Sequence, residues 1–481
     1  MKNTPRIVAA LVACVGCKQE APKTSTILIG QVLDRTGSIA TPSWADSIRL
    51  AVGTANQALK QAGHLELRFE IADANSGNAP DMSRAGAQQL VKRGVKALIT
   101  DSSQDDIAIG MLSYDGDASH ALDVPVVCMA CTSPQINKPE ATDNDPVKQA
   151  ALRNGNGWNF RTTMSDAYQA HLLAHLLTSG GKNGDVNGDG HFKLSIYASD
   201  DPYGHGFSES LKKDVMDLVA DASVEQIFHN VKATPAEYPW ASDVAKLTDK
   251  HNESTGKNDG LPDAVVVISF PKFEISFTKA YLDSGSKVRL VHTHNFRAAR
   301  VLEVLSVAVD GQEGTSQAVL SDGDSARLFT EDLKALTGQV PAFRDATAYD
   351  AAMTVMLATM WAAKHNGLAD PALVSGAMVR DSMRAINDQN GEPVAAGAAG
   401  FLRALQLIEQ GKPINYQGAS GPCDYDEHGN VVAQLARFRV AHGQFVDVEK
   451  FDCLHDAQCL PIEPTGSQQN VHHERSAQVV K

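Results

Sequence analysis

Short apolar runs alternate with stretches of helical spacing through much of this 481-residue sequence, and this alternation constrains the fold most strongly. Strands that alternate with helices form parallel sheets with right-handed crossovers and with helices on both faces. The period of the apolar positions predicts strands at residues 27–32, 65–71, 97–100, 124–129, 192–198, 264–269 and 288–292, and helices at 44–62, 85–92, 105–112, 207–220 and 274–284. The sequence therefore predicts an α/β protein, and its length suggests two such units.

Charge and motif content argue against two classes of function. The formal net charge of −14 repels phosphate backbones, and no long Lys/Arg run offsets it. The sequence also lacks a nucleophile elbow, a phosphate loop with Gly-Lys-Ser/Thr and a His-Glu-x-x-His motif. We therefore expect neither a nucleic-acid partner nor an enzyme.

The N-terminal residues have the pattern of an export signal. Lys2 and Arg6 precede an apolar run at residues 7–13, which is far too short to span a bilayer. Small residues before Cys14 and before Cys17 resemble a bacterial lipoprotein signal, and the pattern favours Cys14 as the lipidated residue. An ordinary cleaved signal is the alternative. Residues 1–23 are predicted to be signal and leash, with the mature protein periplasmic or on the cell surface, anchored by lipid to a bacterial membrane.

Residues 185–191 fit the start of a calcium loop of the EF-hand type. Oxygen ligands occupy the first, third, fifth and seventh positions, namely Asp185, Asn187, Asp189 and the His191 carbonyl. The twelfth position is Ile196, which supplies no carboxylate, so a structural calcium and a plain turn of Asx residues both remain open. The strand at 192–198 separates this loop by about 20 Å from Ser199, at about 3.3 Å per residue. The loop and the other end of the strand therefore serve different sites.

The seven cysteines raise two questions of pairing. Cys128 and Cys131 form a C-x-x-C pair that could exchange disulfides, but their neighbours have the pattern of a strand end, and an exported protein favours oxidised or buried cysteines. Cys453 and Cys459 could close a small loop, with Cys423 as another candidate partner. The sequence leaves this choice open.

Seven segments, in order, resemble the substrate-binding lipoproteins of ABC importers, in the leucine/isoleucine/valine-binding branch of the type I periplasmic binding proteins. They include IGQVLDRTGSIA, IADANSGNAPDMSRAGAQQLV, DVPVVCMACTSPQI, SIYASDDPYGHGFSESL and ATAYDAAMTVMLA. The resemblance covers residues 27–440 and implies two doubly wound parallel-sheet lobes that are joined by three hinge crossovers and close on a small ligand. Lobe 1 would comprise residues 24–160 with 287–366 and lobe 2 residues 161–286 with 367–451, followed by a cysteine-containing extension and disordered tail at 452–481.

The resemblance also implies ligand-binding residues in lobe 1. The loop after the third strand would offer Ser102 and Ser103 to a ligand carboxylate through charge-assisted bonds, although the same pair could cap the following helix. Asp101 departs from the family pattern and would place a like charge beside that carboxylate. In the next loop the Ala130 carbonyl and the Thr132 hydroxyl would meet polar atoms of the ligand.

In lobe 2 the resemblance implies three further contacts. Asp166 would face a ligand amine, Tyr203 would close the cleft with apolar area and a hydroxyl, and Phe270 would form an apolar wall. Asp166 could instead be a helix N-cap, and Tyr203 a turn residue packed on the hinge. Where amino-acid binders commonly place a second carboxylate, this chain has His292 and His294, which weakens the case for an amino-acid ligand; a histidine pair at this spacing could ligate metal, but no third ligand is identifiable.

These features predict a monomeric protein that captures a small polar organic molecule and presents it to an ABC permease without catalysis. No cofactor is required, and calcium is only a candidate structural ion. The alternative is an interaction or sensor lipoprotein of the same fold that regulates a cell-envelope partner with a modified or vestigial cleft. The departures at Asp101 and at residues 292–295 motivate this alternative.

Overall fold

The computed structural model describes residues 24–116, 121–321, 323–453 and the backbone of 460–461. The predicted signal, the candidate lipidation residue Cys14, Cys459 and most of the predicted tail lie outside these residues. Within the described part of the chain, no helix is long and apolar enough to cross a membrane.

The first sheet has five parallel strands in the order β2-β1-β3-β4-β5. The strands are β1 (Ser25–Leu33), β2 (Leu67–Asn75), β3 (Leu98–Thr100), β4 (Val126–Cys128) and β5 (Asn159–Arg161), and the helices between them are α1 (Pro42–Gln61), α2 (Pro80–Lys92), α3 (Ser103–Met111) and α4 (Pro146–Arg153). The apolar face predicted for α1 is buried, with Ile48, Ala51 and Leu59 fully inside. Helices cover both faces, as strands without polar alternation require.

The second sheet has eight strands in the order β17-β16-β15-β12-β11-β10-β6-β7. Its parallel part contains β6 (Lys193–Ser199), β7 (Ser223–His229), β10 (Ala264–Ile268), β11 (Arg289–His292) and β12 (Glu313–Gln317), with α5 (Asp166–Thr178), α6 (Pro202–Leu218), α7 (Trp240–Leu247), α8 (Pro271–Ser284) and α9 (Ala299–Leu305). The antiparallel strands β15 (Leu435–Ala441), β16 (Gln444–Asp452) and β17 (Leu460–Pro461) extend the edge at β12. The sequence did not predict these three strands, and Leu460–Pro461 had been expected to be disordered.

Most of the remaining elements pack with the first sheet and its helices. They are α10 (Asp324–Thr337), α11 (Asp345–His365), α12 (Gly376–Ser382) and α13 (Gly397–Glu409), with the two-stranded sheet of β13 (Glu392–Ala395) and β14 (Ile414–Gln417); a hairpin of β8 (His251–Asn252) and β9 (Lys257–Asn258) lies beside β6 and β7. Helices α10, α11 and α13 contact α1, and α12 packs on α11. The long helix α11 is buried along nearly its whole length.

The strand pairing corrects the predicted division of residues 287–451. Arg289 pairs beside Ala264, so β11 and β12 continue the second sheet, whereas residues 287–366 had been assigned to lobe 1. Helices α12 and α13 belong with α1 and α11, whereas residues 367–451 had been assigned to lobe 2. A strand that follows a helix by a short connection joins the sheet that the helix already covers, and no local signal marks where the chain changes body. The chain passes between the two bodies three times, after β5, after β12 and before β15.

The cysteines resolve part of the pairing question. Cys128 and Cys131 form a disulfide at the end of β4. Cys423 is a free, buried cysteine, so it is not a partner of Cys453, which is itself disulfide-bonded. The C-x-x-C pair is therefore oxidised and enclosed in the core, consistent with the expectation for an exported chain.

Candidate functional site

Residues that follow the carboxyl ends of strands in both sheets line one cavity between the two bodies. From the first sheet come Asp101, Ser102, Ser103, Ala130 and Thr132, and from the second come Asp201, Tyr203, Phe270, His294 and Asn295. Its volume is about 20 Å³, and an adjoining cavity of about 10 Å³ reaches α5. In open α/β sheets, ligands bind beyond the carboxyl ends of the strands, because loop amides and helix N-termini converge there.

The structure brings the seven sequence-predicted contact residues together. Six of them line the larger cavity, namely Ser102, Ser103, Ala130, Thr132, Tyr203 and Phe270. Asp166 lines the smaller cavity, and Thr132, His294 and Arg344 line both. Contact of these side chains with a solute remains a prediction.

The serine loop after β3 combines a capping role with exposure to the cavity. Ser102 is the N-cap of α3 and accepts a hydrogen bond from the Asp105 amide at 3.3 Å, while Ser103 Oγ accepts one from the Ser133 amide at 3.2 Å. The predicted cap is therefore present, and it leaves both serines lining the cavity.

The expected repulsion from Asp101 is weaker than the sequence indicated. Asp101 Oδ2 accepts a hydrogen bond from the Asp34 amide at 2.7 Å, and Oδ1 has no partner among the described residues. Burial raises the pKa of Asp101 well above its usual range, which favours the neutral acid. A neutral carboxyl can donate a hydrogen bond to a carboxylate rather than repel it.

The turn that carries Ala130 and Thr132 is held by Arg161 on β5. The Arg161 Nη1 donates to the carbonyls of Cys131 and Ser133 at 3.1 and 3.0 Å, Nη2 donates to the carbonyl of Ile136, and Nε donates to Asn430 Oδ1. The Cys128–Cys131 disulfide closes the same turn. These constraints hold the cavity-lining loop in one conformation, and a pre-organised loop lowers the entropic cost of any binding event.

Asp166 begins α5 but does not cap it. Ser165 is the N-cap, and its side chain accepts the Ala167 amide at 3.3 Å, so the N-cap alternative for Asp166 is wrong. The Asp166 Oδ1 lies 3.4 Å from His294 Nδ1, and Oδ2 has no described partner. Burial raises the pKa of Asp166 to about 8, although the Thr132 hydroxyl and nearby arginines oppose the shift.

Tyr203 forms part of an aromatic wall on the second body. Its hydroxyl lies 3.1 Å from Thr293 Oγ1, and Thr293 itself donates to the Val267 carbonyl, so Tyr203 donates in this bond and keeps a free acceptor lone pair. The ring centroids of Phe270 and His294 lie 5.6 and 5.2 Å from that of Tyr203. Tyr203 therefore faces the cavity from the first turn of α6, and the alternative of a turn residue packed on the hinge is not what the structure shows.

Among the cavity residues that sequence reasoning missed are Arg344, and His294 as a polar contact. Arg344 directly precedes α11 and has a left-handed backbone, with φ 70° and ψ 4°. No pattern in the sequence predicted this conformation. His294 was noted only as half of a metal-binding pair with His292. The two histidines have separate surroundings, because His292 bonds Gln312 and stacks on Phe296 within the second body.

The described residues contain a single grouping with metal-ligand spacing, formed by Asp106, Cys128 and Cys131. Its two sulfur atoms are joined in the disulfide and are not thiolate ligands. Neither His292 nor His294 belongs to such a grouping within the described ranges.

The candidate calcium loop lies at the opposite end of β6 from the cavity. The Asp185 carboxylate accepts hydrogen bonds from the amides of Gly188 and Gly190 at 2.6 and 2.9 Å, and the Asn187 side-chain oxygen accepts one from the Asp189 amide at 2.9 Å. The side-chain oxygens thus serve the turn itself, which favours the plain Asx turn. Calcium binding at this loop remains untested.

No protein-family model and no curated protein matches the sequence. Among solved structures, the fold is similar to a leucine-binding protein from Thermotoga maritima, with 17% identity and a TM-score of 0.62 over 88% of this chain and 98% of that one. It is also similar to a branched-chain amino acid substrate-binding protein from Streptococcus pneumoniae in complex with isoleucine, with 15% identity and a TM-score of 0.60 over 88% and 99%.

A solute-binding protein of an ABC transporter from R. palustris, in complex with benzoate, has 13% identity and a TM-score of 0.63 over 92% of this chain and 98% of that one. At these identities the likeness establishes the fold. The chain has the two-lobed type I periplasmic binding protein fold, as the sequence resemblance implied.

Proposed function

We propose that the protein is an extracytoplasmic solute-binding protein that captures a small polar organic molecule between its two bodies and delivers it to an ABC importer. It does so as a monomer without catalysing a reaction, anchored to the membrane by lipid at Cys14. The solute is amino-acid-like or a related compound.

One observation carries this proposal: polar atoms without partners converge on a cavity that both bodies line. Asp101 Oδ1, Asp166 Oδ2, His294 Nε2 and two nitrogens of Arg344 are buried and have no hydrogen-bond partner among the described residues. Leaving a buried polar group unpaired costs roughly 1–3 kcal/mol, so several in one place indicate a site that a ligand completes.

The fold supports the same conclusion. Two of the similar structures contain isoleucine and benzoate, both small carboxylic acids. Three chain crossings join the bodies here, and such a connection suits closure around a solute by hinge motion.

The small cavity volume favours a second candidate, an interaction or sensor protein with a vestigial cleft. About 20 and 10 Å³ hold roughly one water molecule each. Under this alternative the side chains fill the cleft permanently, and an envelope partner binds the outer surface.

Thermal unfolding of the full chain in mild detergent distinguishes the two. A panel of amino acids, hydroxy acids, aromatic acids and amides is added at millimolar concentration, and a solute that binds only the folded state raises the melting temperature. We expect one chemical class to raise it by several degrees, and Thr132→Ala and Tyr203→Phe to reduce that rise.

Tyr281→Phe is the matched control for Tyr203→Phe. Tyr281 lies on α8 outside the cavity, where its hydroxyl donates to the Val288 carbonyl, so this variant lowers the baseline without changing the solute-induced rise. If no member of the panel raises the melting temperature, the solute-binding proposal fails. Co-purification of an envelope protein would then support the alternative.

A further inference from the structure

The turn that presents Arg344 is strained and firmly held. A residue with a large side chain rarely adopts a positive φ, and such a backbone costs about 1–3 kcal/mol. The Arg344 backbone nevertheless has φ 70°, and the turn is fixed by Trp44 Nε1 donating to the Phe343 carbonyl at 3.2 Å and by Ser43 donating to Asp345 at 2.6 Å. Strain that the surroundings maintain in this way points to a functional position for the side chain.

The Arg344 guanidinium differs from the other buried arginines. Arg161 donates four hydrogen bonds, and Arg297 pairs with Asp447 at 2.6 Å. Arg344 is only 7% exposed, yet its Nε and Nη2 have no partner in the described part of the chain. Adjacent guanidinium N–H groups form the fork that binds a carboxylate through two hydrogen bonds.

The opposite side of the cleft offers acceptors. Gln169 Nε2 donates to the Thr315 carbonyl at 2.7 Å, so its Oε1 is assigned as the acceptor for His294 Nδ1–H at 2.9 Å. His294 Nε2 is then left with a lone pair that has no partner among the described residues. A solute that satisfies the site therefore carries an anionic group for Arg344 and a hydrogen-bond donor for His294 Nε2.

We propose that Arg344 is the specificity-determining residue of the cleft and that the solute is a small carboxylic acid bearing an amine or a hydroxyl group. This inference rests on the proposed solute-binding function and adds the chemical class to it. The raised pKa values of Asp101 and Asp166 support it, because neutral acids leave the Arg344 charge less compensated and attract an anion to the cleft.

Isothermal titration with matched acids and primary amides tests this assignment. Leucine with leucinamide, lactate with lactamide and benzoate with benzamide are titrated into the full chain at pH 7. We expect one acid to bind and its amide to bind at least about tenfold more weakly, since the charged pair adds roughly 1.5–3 kcal/mol. Arg344→Gln should weaken binding of the acid by about 10- to 100-fold and abolish the preference for the acid over its amide.

Two further variants distinguish the loss of the guanidinium fork from the loss of positive charge alone and from a general effect of removing an arginine. Arg344→Lys keeps the charge but lacks the fork, so we expect intermediate affinity and a retained preference for the acid. Arg49→Gln removes an exposed arginine on α1 that pairs with Asp46 and should bind the acid as the unmodified protein does. Unchanged near-ultraviolet circular dichroism shows that each variant is folded.

The outcomes separate the two proposals. If the unmodified protein binds an acid and its amide equally, or if Arg344→Gln binds the acid with unchanged affinity, the role of Arg344 is wrong while solute binding stands. If the unmodified protein binds none of the six compounds and no other solute, both proposals are overturned.

Discussion

Replacing Arg344 by Met should stabilise the protein in the absence of solute. Burial lowers the pKa of Arg344 from 12.5 to about 10. At about 1.4 kcal/mol per tenfold change in proton affinity, the folded protein holds this cation roughly 3 kcal/mol less favourably than water does. Because the folded pKa of a cation is lowered, the penalty is fully present below about pH 10 and is relieved only above it.

Methionine has a similar length and no charge, and the strain energy of the left-handed backbone is about the same for methionine as for arginine, so it cancels in the comparison. The substitution gives up the contact of the guanidinium with the Phe343 ring, whose centroid lies 5.0 Å away and which contributes roughly 0.5–1 kcal/mol. We therefore expect the free energy of unfolding to rise by roughly 1–3 kcal/mol at pH 7. Solute binding should be lost in the same variant.

Equilibrium unfolding in urea, followed by circular dichroism, measures this difference as a shift of the midpoint at constant slope. Arg161→Met is the control, because it removes four donated hydrogen bonds and should destabilise by more than about 3 kcal/mol. If Arg344→Met destabilises by more than about 1 kcal/mol, Arg344 has a structural role and the reasoning from its unpaired nitrogens is refuted.

Three further predictions follow from other sites. Asp166 has a folded pKa of about 8 against an ordinary value of 3.8, so stability without solute should fall as pH rises from about 4 to 8, and Asp166→Asn should flatten that dependence in urea unfolding. Calcium at 5 mM, a concentration above the dissociation constants of the weakest calcium sites, about 10⁻⁴–10⁻³ M, should shift the melting temperature by less than about 1 °C, because Asp185 already accepts hydrogen bonds from two loop amides. A larger rise that Asp185→Ala abolishes would establish a calcium site. Replacing Cys128 and Cys131 by Ser should weaken solute binding by about 3- to 10-fold by loosening the turn that carries Thr132, whereas unchanged affinity in titration would show that Arg161 alone holds it.

Much of the fold could be predicted because its strands are buried on both faces. A stretch such as Ala264–Ile268 consists only of apolar residues and is fully buried, so its composition alone indicates a central parallel strand. The helix at Pro42–Gln61 was predictable because the apolar residues repeat at the helical period and Pro42 suits its first turn.

The division between the two bodies could not be read from the same signals. Arg289–His292 has the same kind of strand pattern whichever sheet it joins, and only its pairing with β10 places it in the second one. Leu435–Ala441 and Gln444–Asp452 alternate more and less exposed positions, as antiparallel strands with one solvated face do, and this pattern is a weaker signal than an apolar run.

The candidate site was partly predictable for a related reason. Residues such as Thr132 and Tyr203 follow strand ends, where the fold places its ligands, and the resemblance identified them. Arg344 follows a loop and acquires its position from a left-handed turn held by Trp44 and Ser43, whose hydrogen bonds span 299 and 302 residues of sequence. Tertiary contacts of this kind leave no local pattern.

The most direct test of the account is a crystal structure of the protein with the solute that gives the largest thermal shift. We predict that the solute lies between the two bodies, with its carboxylate bonded to Arg344 Nε and Nη2 and its donor group directed at His294. Electron density for the solute in the groove lined by Asp324, Gln389 and Gln434, or at any other place outside the cleft, would contradict the account.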